Sequence, residues 1–162
     1  MAKPQRSDFT VSGTGYRWEA TLFLTMWEEI ERRYGRDAAR EISVEAMHKA
    51  GVRFGGAMAD VWGSSDLASL KDVWETLYGV SPENEWDGKR FVVHGNKCII
   101  NDTFDMYPIP ADLRDELNRM FCSGDQAFVE GFNSDIRFSF AGRILRGDPV
   151  CGWVMETPAD EA

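Results

Sequence analysis

Histidine is scarce in this chain, with two in 162 residues, and cysteine little commoner, with three. Cys98, Cys122 and Cys151 are odd in number and far apart, and no C-x-x-C pair occurs. Neither a disulfide framework nor a local zinc site is therefore expected. Cations are outnumbered, 18 Lys and Arg against 27 Asp and Glu, for a formal charge of -9. That balance excludes a phosphate-gripping surface, so no nucleic-acid partner is expected, and it disfavours acidic membranes. No run approaches the roughly 20 apolar residues that span a bilayer, and the opening MAKPQRSDF has no apolar core, so a cytoplasmic protein with no membrane partner is expected.

What is abundant is apolar and aromatic. A 43% hydrophobic content over this length suits one domain with a sizeable core. Six Trp, ten Phe and four Tyr fit either a large core or an aromatic-lined pocket. The polar start, with Gly13 and Gly15, reads as an arm over 1–14, followed by one domain over 15–157 and a frayed tail over 158–162.

Leu22, Phe23, Met26, Trp27 and Ile30 recur at helical spacing up to Gly35. A second helix begins near Arg36, is expected to break at Ser43, and continues to about Trp62. Gly51, Gly55 and Gly56 weaken that helix by about 1 kcal/mol each, so another helix or a ligand should approach its backbone closely. A third helix is capped at Ser65 or Asp66 and stops at Gly79. RFVVHGNKCII then changes period and reads as a hairpin about Gly95-Asn96, with Cys98 on its apolar face and His94 exposed at its turn.

After Pro108 and Pro110 a helix is expected over 111–121, ended by Ser123-Gly124, and a second, short one is capped by Asp125 and runs to Gly131. Two strands follow, one with Ile136, Phe138 and Phe140 on a face, the other with Cys151, Trp153 and Met155, joined by the turn RGDP. The sum is an α+β domain: N-terminal helices packed on an antiparallel sheet made of hairpins with inserted helices.

The stretch FCSGDQAFVEGFN puts Cys122 just ahead of the expected short helix. Backbone N–H groups and the helix dipole at that end would favour the thiolate, which makes Cys122 a candidate nucleophile. Asp125 is either its general base or only a helix cap. Cys151 shares a face with Trp153 and either lines the same cavity or packs inertly. His48 lies beside the space left by Gly51 and Gly55, as a pocket imidazole or a surface one. Glu130 and Asn133 close the short helix, and Arg53 or Arg137 can pair with a substrate carboxylate.

The segment CSGDQAFVEGFNSDIRFSFAGRILRGDPVCGW resembles the L-2-amino-thiazoline-4-carboxylic acid hydrolases. Cys122, Asp125, Glu130, Gly131, Asn133, Arg137, Gly147, Asp148 and Cys151 match the pattern. Where that pattern carries a further Cys-Pro-aromatic group, this chain reads Asn101-Asp102-Thr103-Phe104. The resemblance implies a fold like the vinyl-reductase-like ligand-binding domains, in a cytosolic bacterial enzyme. Its substrate would be a small heterocycle or related carboxylate, opened by cofactor-independent hydrolysis of a C–N or C=N bond. Cys122, Asp125, Cys151 and His48 would be catalytic, with Arg53, Glu130, Asn133, Arg137 and Trp153 binding substrate. No cofactor or metal is expected, and a homodimer stays open. A lyase, or a domain that binds a small ligand without turning it over, are the alternatives.

Overall fold

The structure, a computed structural model, describes residues 13–158; of the arm expected over 1–14 and the tail expected over 158–162, residues 1–12 and 159–162 lie outside the described residues, while Gly13 and Thr14 belong to the first helix rather than to an arm. Helix α1 (Gly13–Tyr34) meets α2 (Arg36–Trp62) at Gly35, whose φ of 88° suits a residue without a Cβ. Gly63, at φ 69°, ends α2 by returning its N–H to the Ala59 carbonyl at 2.9 Å. The carboxylate of Asp66 caps α3 (Leu67–Tyr78), accepting from the Ser69 N–H at 2.7 Å, and Gly79 closes that helix. Strands β1 (Glu85–Trp86) and β2 (Arg90–Gly95) lead to the short helix α4 (Ile99–Phe104). Helix α5 (Ala111–Phe132), β3 (Arg137–Gly142), a 3-10 turn (Ile144–Arg146) and β4 (Cys151–Glu156) complete the described residues.

The sheet is antiparallel throughout, in the order β1-β2-β4-β3. Register places Phe91 and Phe138 on either side of Met155, and Val93 and Phe140 on either side of Trp153. Directly opposed residues share a face, so these six side chains turn toward the helices. Met58, Trp62, Leu70, Val73, Trp74, Phe128 and Phe132 meet all of them but Phe140 there as the main core. A second core joins Leu24 and Trp27 of α1, Ala39 of α2, Phe104 of α4 and Leu117 of α5. The expected α+β arrangement of N-terminal helices and antiparallel sheet is thus observed. Among the described residues no helix is long and apolar enough to cross a membrane.

Three local expectations are corrected. Helix α2 runs unbroken past Ser43, because that residue is buried in the packed face rather than free to cap. No hairpin forms about Gly95-Asn96. The alternation of Phe91 and Val93 is matched instead by Met155 and Trp153 of β4, while Thr103 and Phe104 are buried on a helix that Cys98 caps, its Sγ accepting from the Asn101 N–H at 3.4 Å. Most consequentially, α5 is one 22-residue helix with Cys122, Ser123, Gly124 and Asp125 in its interior. The Ser123 hydroxyl, expected to stop the helix, donates to the Met120 carbonyl at 2.6 Å and stays within it.

The glycines of α2 serve another helix. A Cβ on Gly55 would lie 2.0 Å from the Phe128 carbonyl oxygen, and one on Gly131 would lie 2.1 Å from that of Val52. The backbones of α2 and α5 therefore touch where they cross, which fixes how α5 lies along the domain.

Candidate active site

From the interior of α5, Asp125 points to β4, where the Trp153 indole Nε1 donates to its Oδ2 at 3.0 Å. Among the described residues its other oxygen, Oδ1, has no hydrogen-bond partner. Both side chains line a cavity of about 330 Å³ bounded by α1, α3 and the β2 end. Its walls are aromatic: Trp74 lies 6.2 Å from Trp153 and 4.9 Å from Tyr78, and Tyr78 stacks on Tyr16 at 5.9 Å. Gly95 admits the Trp153 ring, since a Cβ there would lie 3.0 Å from it. His94 and Lys97 stand at the rim, with the His94 Nε2 3.2 Å from the Glu85 Oε1.

Burial pushes the Asp125 carboxyl up to about 6, opposed by the Trp153 hydrogen bond and by the charge of Arg143. Asp125 is half-buried and lines the cavity, so a small guest can reach it although most of its surroundings are protein. Tyr78 shows the same duality. The residue as a whole is 45% exposed, yet burial of its hydroxyl, the Asp125 charge and Tyr16 hold the phenol well above its ordinary range. Burial raises Tyr16 likewise, against a hydrogen bond with Tyr78. At neutral pH both phenols are O–H donors beside a carboxyl poised to gain or lose a proton.

Cys122 lies one turn before Asp125, and its premise as a primed thiolate fails. No helix begins at Asp125, and burial, followed by the nearby Asp125 charge, pushes the thiol up to about 12. Burial also raises Cys98 and Cys151, the latter with its Sγ accepting from the Ile144 N–H at 3.4 Å. The three thiols are near enough to influence one another, but among the described residues no three His, Cys, Asp or Glu are arranged to hold a metal ion. Three units above an ordinary thiol means about a thousandfold less thiolate at neutral pH. Iodoacetamide followed by peptide mass spectrometry should accordingly find Cys122 labelled well over tenfold slower than a free thiol, the lost thiolate being partly offset by the greater nucleophilicity of a more basic sulfur, and rapid labelling at pH 7.5 would refute the neutral assignment.

The other residues singled out from sequence do not meet at this cavity. His48 and Glu130 pair with each other at 3.0 Å in an open groove of about 660 Å³ between α2 and α5. Arg53 is exposed on α2, and Arg137 is exposed where β3 begins. Asn133 ties the end of α5 to the start of α3, its Nδ2 donating to the Ser65 carbonyl at 2.8 Å. Conversely, Tyr16, Trp74, Tyr78 and Lys97 line the cavity without having been picked out, and His94, expected to be exposed, is half-buried at its rim. The aromatic surplus was the only trace of the three rings in the sequence.

An α+β domain with a lone, proton-ready carboxyl at the end of a small aromatic cavity belongs with small-molecule enzymes and binding domains rather than with polymer-binding folds. The family model for L-2-amino-thiazoline-4-carboxylic acid hydrolase matches residues 15–154, and the chain belongs to that family. A search among curated proteins finds no match. The family's name is that of a small-molecule hydrolase.

Proposed function

We propose that the protein hydrolyses the C=N centre of a small amidine-like heterocycle, of the 2-amino-thiazoline carboxylate class for which its family is named, with Asp125 as the proton carrier and water as the nucleophile. The observation that carries this reading is the Asp125 carboxyl itself, clamped through one oxygen by Trp153 and open to the cavity through the other. The aromatic walls of Trp74, Trp153, Tyr16 and Tyr78 offer ring faces and edges to a planar guest, and an amidinium edge is drawn to a carboxylate. Oδ1 takes a proton from water as the new C–O bond forms and the C=N electron pair moves onto nitrogen. On collapse the carboxyl returns that proton to the departing nitrogen or sulfur, and the hydroxyl on carbon gives up its own proton to solvent as the C=O forms. The neutral phenols of Tyr16 and Tyr78 supply hydrogen bonds to charge that develops at the ring.

Cys122 has no nucleophilic part in this scheme, since its thiol is held neutral. Cys122→Ser should then keep turnover within a few-fold of the parent.

The test is the pH dependence of kcat/KM with L-2-amino-thiazoline-4-carboxylate. A base must be ionised to act, so the rate should rise about tenfold per pH unit below about 6 and level off above it. A rate that falls through that range would make Asp125 a general acid. Saturable binding with no turnover would leave a ligand-binding domain in place of an enzyme.

A further inference from the structure

Beyond the reaction cavity, a second hollow of about 470 Å³ lies along β3 and the turn that follows it, lined by Phe140, Gly142, Arg143 and Arg146 and by Gln126 and Asp148. We propose that it is a binding site for a small monocarboxylate, held by the Arg143 and Arg146 guanidinium groups. In a chain with nine more acidic than basic side chains, most arginines are drawn into ion pairs, as Arg36 and Arg40 are with Glu116. Among the described residues neither Arg143 nor Arg146 forms one, although both face the same hollow.

Arg143 is also held in place. Its guanidinium lies 3.8 Å over the Phe140 ring, and its backbone N–H donates to the Asp148 Oδ2 at 2.7 Å. The register irregularity between Phe140 and Gly142 lets β3 leave the sheet and deliver the arginine there. A stacked, planar fork is the group that meets a carboxylate through two parallel hydrogen bonds.

The charge count selects the ligand. Two guanidiniums against the Asp148 carboxylate leave one positive charge, which matches a monoanion, and the net charge of -9 disfavours phosphates and other multiply charged anions. The site is coupled to the reaction cavity, because the Arg143 charge is felt at Asp125, Cys122 and Cys151.

The test is a titration of the whole chain with benzoate, read by calorimetry and by backbone amide NMR shifts, with neutral benzamide and inorganic phosphate as the comparison probes. Benzoate should bind saturably and shift amides of Ser139 to Arg143, benzamide should not, and phosphate should bind more weakly. Arg143→Gln and Arg146→Gln should each weaken benzoate at least about tenfold, the loss of a charge-assisted hydrogen bond, while Lys97→Gln at the reaction cavity leaves it unchanged. Should Arg143→Gln fail to fold, the exposed Arg146→Gln and the shift map decide. No saturable binding, equal binding of benzamide, tighter binding of phosphate, undiminished binding in both variants, or loss on Lys97→Gln would each overturn the assignment.

Discussion

Asp125→Asn is expected to cut kcat by about 10²- to 10⁴-fold, the range for removal of a positioned proton carrier, while making the protein harder to unfold at pH 8. The amide keeps the shape of the carboxyl and still accepts the Trp153 N–H, so the cavity survives. It cannot take a proton from water. The stability gain follows from the raised acidity constant. A carboxyl at about 6 in the fold and 3.8 outside it opposes folding once ionised, and two units at 1.36 kcal/mol each come to about 3 kcal/mol. That opposition is absent below pH 3.8, grows between 3.8 and 6, and is complete above 6. Urea unfolding should thus show the variant ahead by up to about 3 kcal/mol at pH 8 and by about half that at pH 5. Activity lost with stability gained identifies a group kept for chemistry at a cost to the fold. Full turnover in Asp125→Asn would remove Asp125 from the reaction, whatever happened to stability.

How legible this was in the sequence differs between frame and site. Helices α1 and α3 were readable because their signals are local: an apolar stripe, an Asp66 cap, glycine stops at Gly35 and Gly79. The closeness of another element to Gly51 and Gly55 was readable too, since small residues in a helix imply a neighbour. Helix α5 was misread for the same local reason. Ser123-Gly124 is a good stop signal in isolation, but packing against α2 keeps the helix intact through it, with Gly124 making room for the Met47 side chain. Everything said of Cys122 as a thiolate rested on that false helix start. Asp125 and Trp153 were picked out, yet their pairing required α5 and β4 to be brought together by tertiary packing. The tyrosines come from α1 and α3, distant in sequence from both, and carry no motif that marks them. Strand β2 pairing with β4 rather than with the next segment is likewise a non-local choice.

Gly55→Ala and Gly131→Ala should be the most damaging single methyl additions to the chain. Each new Cβ would sit about 2 Å from a backbone oxygen of the opposing helix, that of Phe128 for Gly55 and that of Val52 for Gly131. A flexible side chain could turn away; a helical carbonyl cannot, so α2 and α5 must separate. Overpacking of this kind costs roughly 3–5 kcal/mol, well above the gain of about 1 kcal/mol in helix propensity. For a domain of this size that is a fall in Tm on the order of 10 °C. Gly56→Ala is the control on the same helix: its Cβ would lie 3.5 Å from the Gly131 oxygen, an ordinary contact, and the change should stabilise by about 0.5–1 kcal/mol. The crossing also reaches the chemistry. Gly131 lies six residues from Asp125 on α5, about 9 Å along the axis, so a helix pushed off α2 would draw the carboxyl away from Trp153 and lower turnover even at temperatures where the variant stays folded. Melting curves for the three variants, taken with kcat at a temperature below every transition, separate these effects. If Gly55→Ala and Gly131→Ala melted with the parent, the two backbones would not touch at this crossing, and the placement of Asp125 would need another cause.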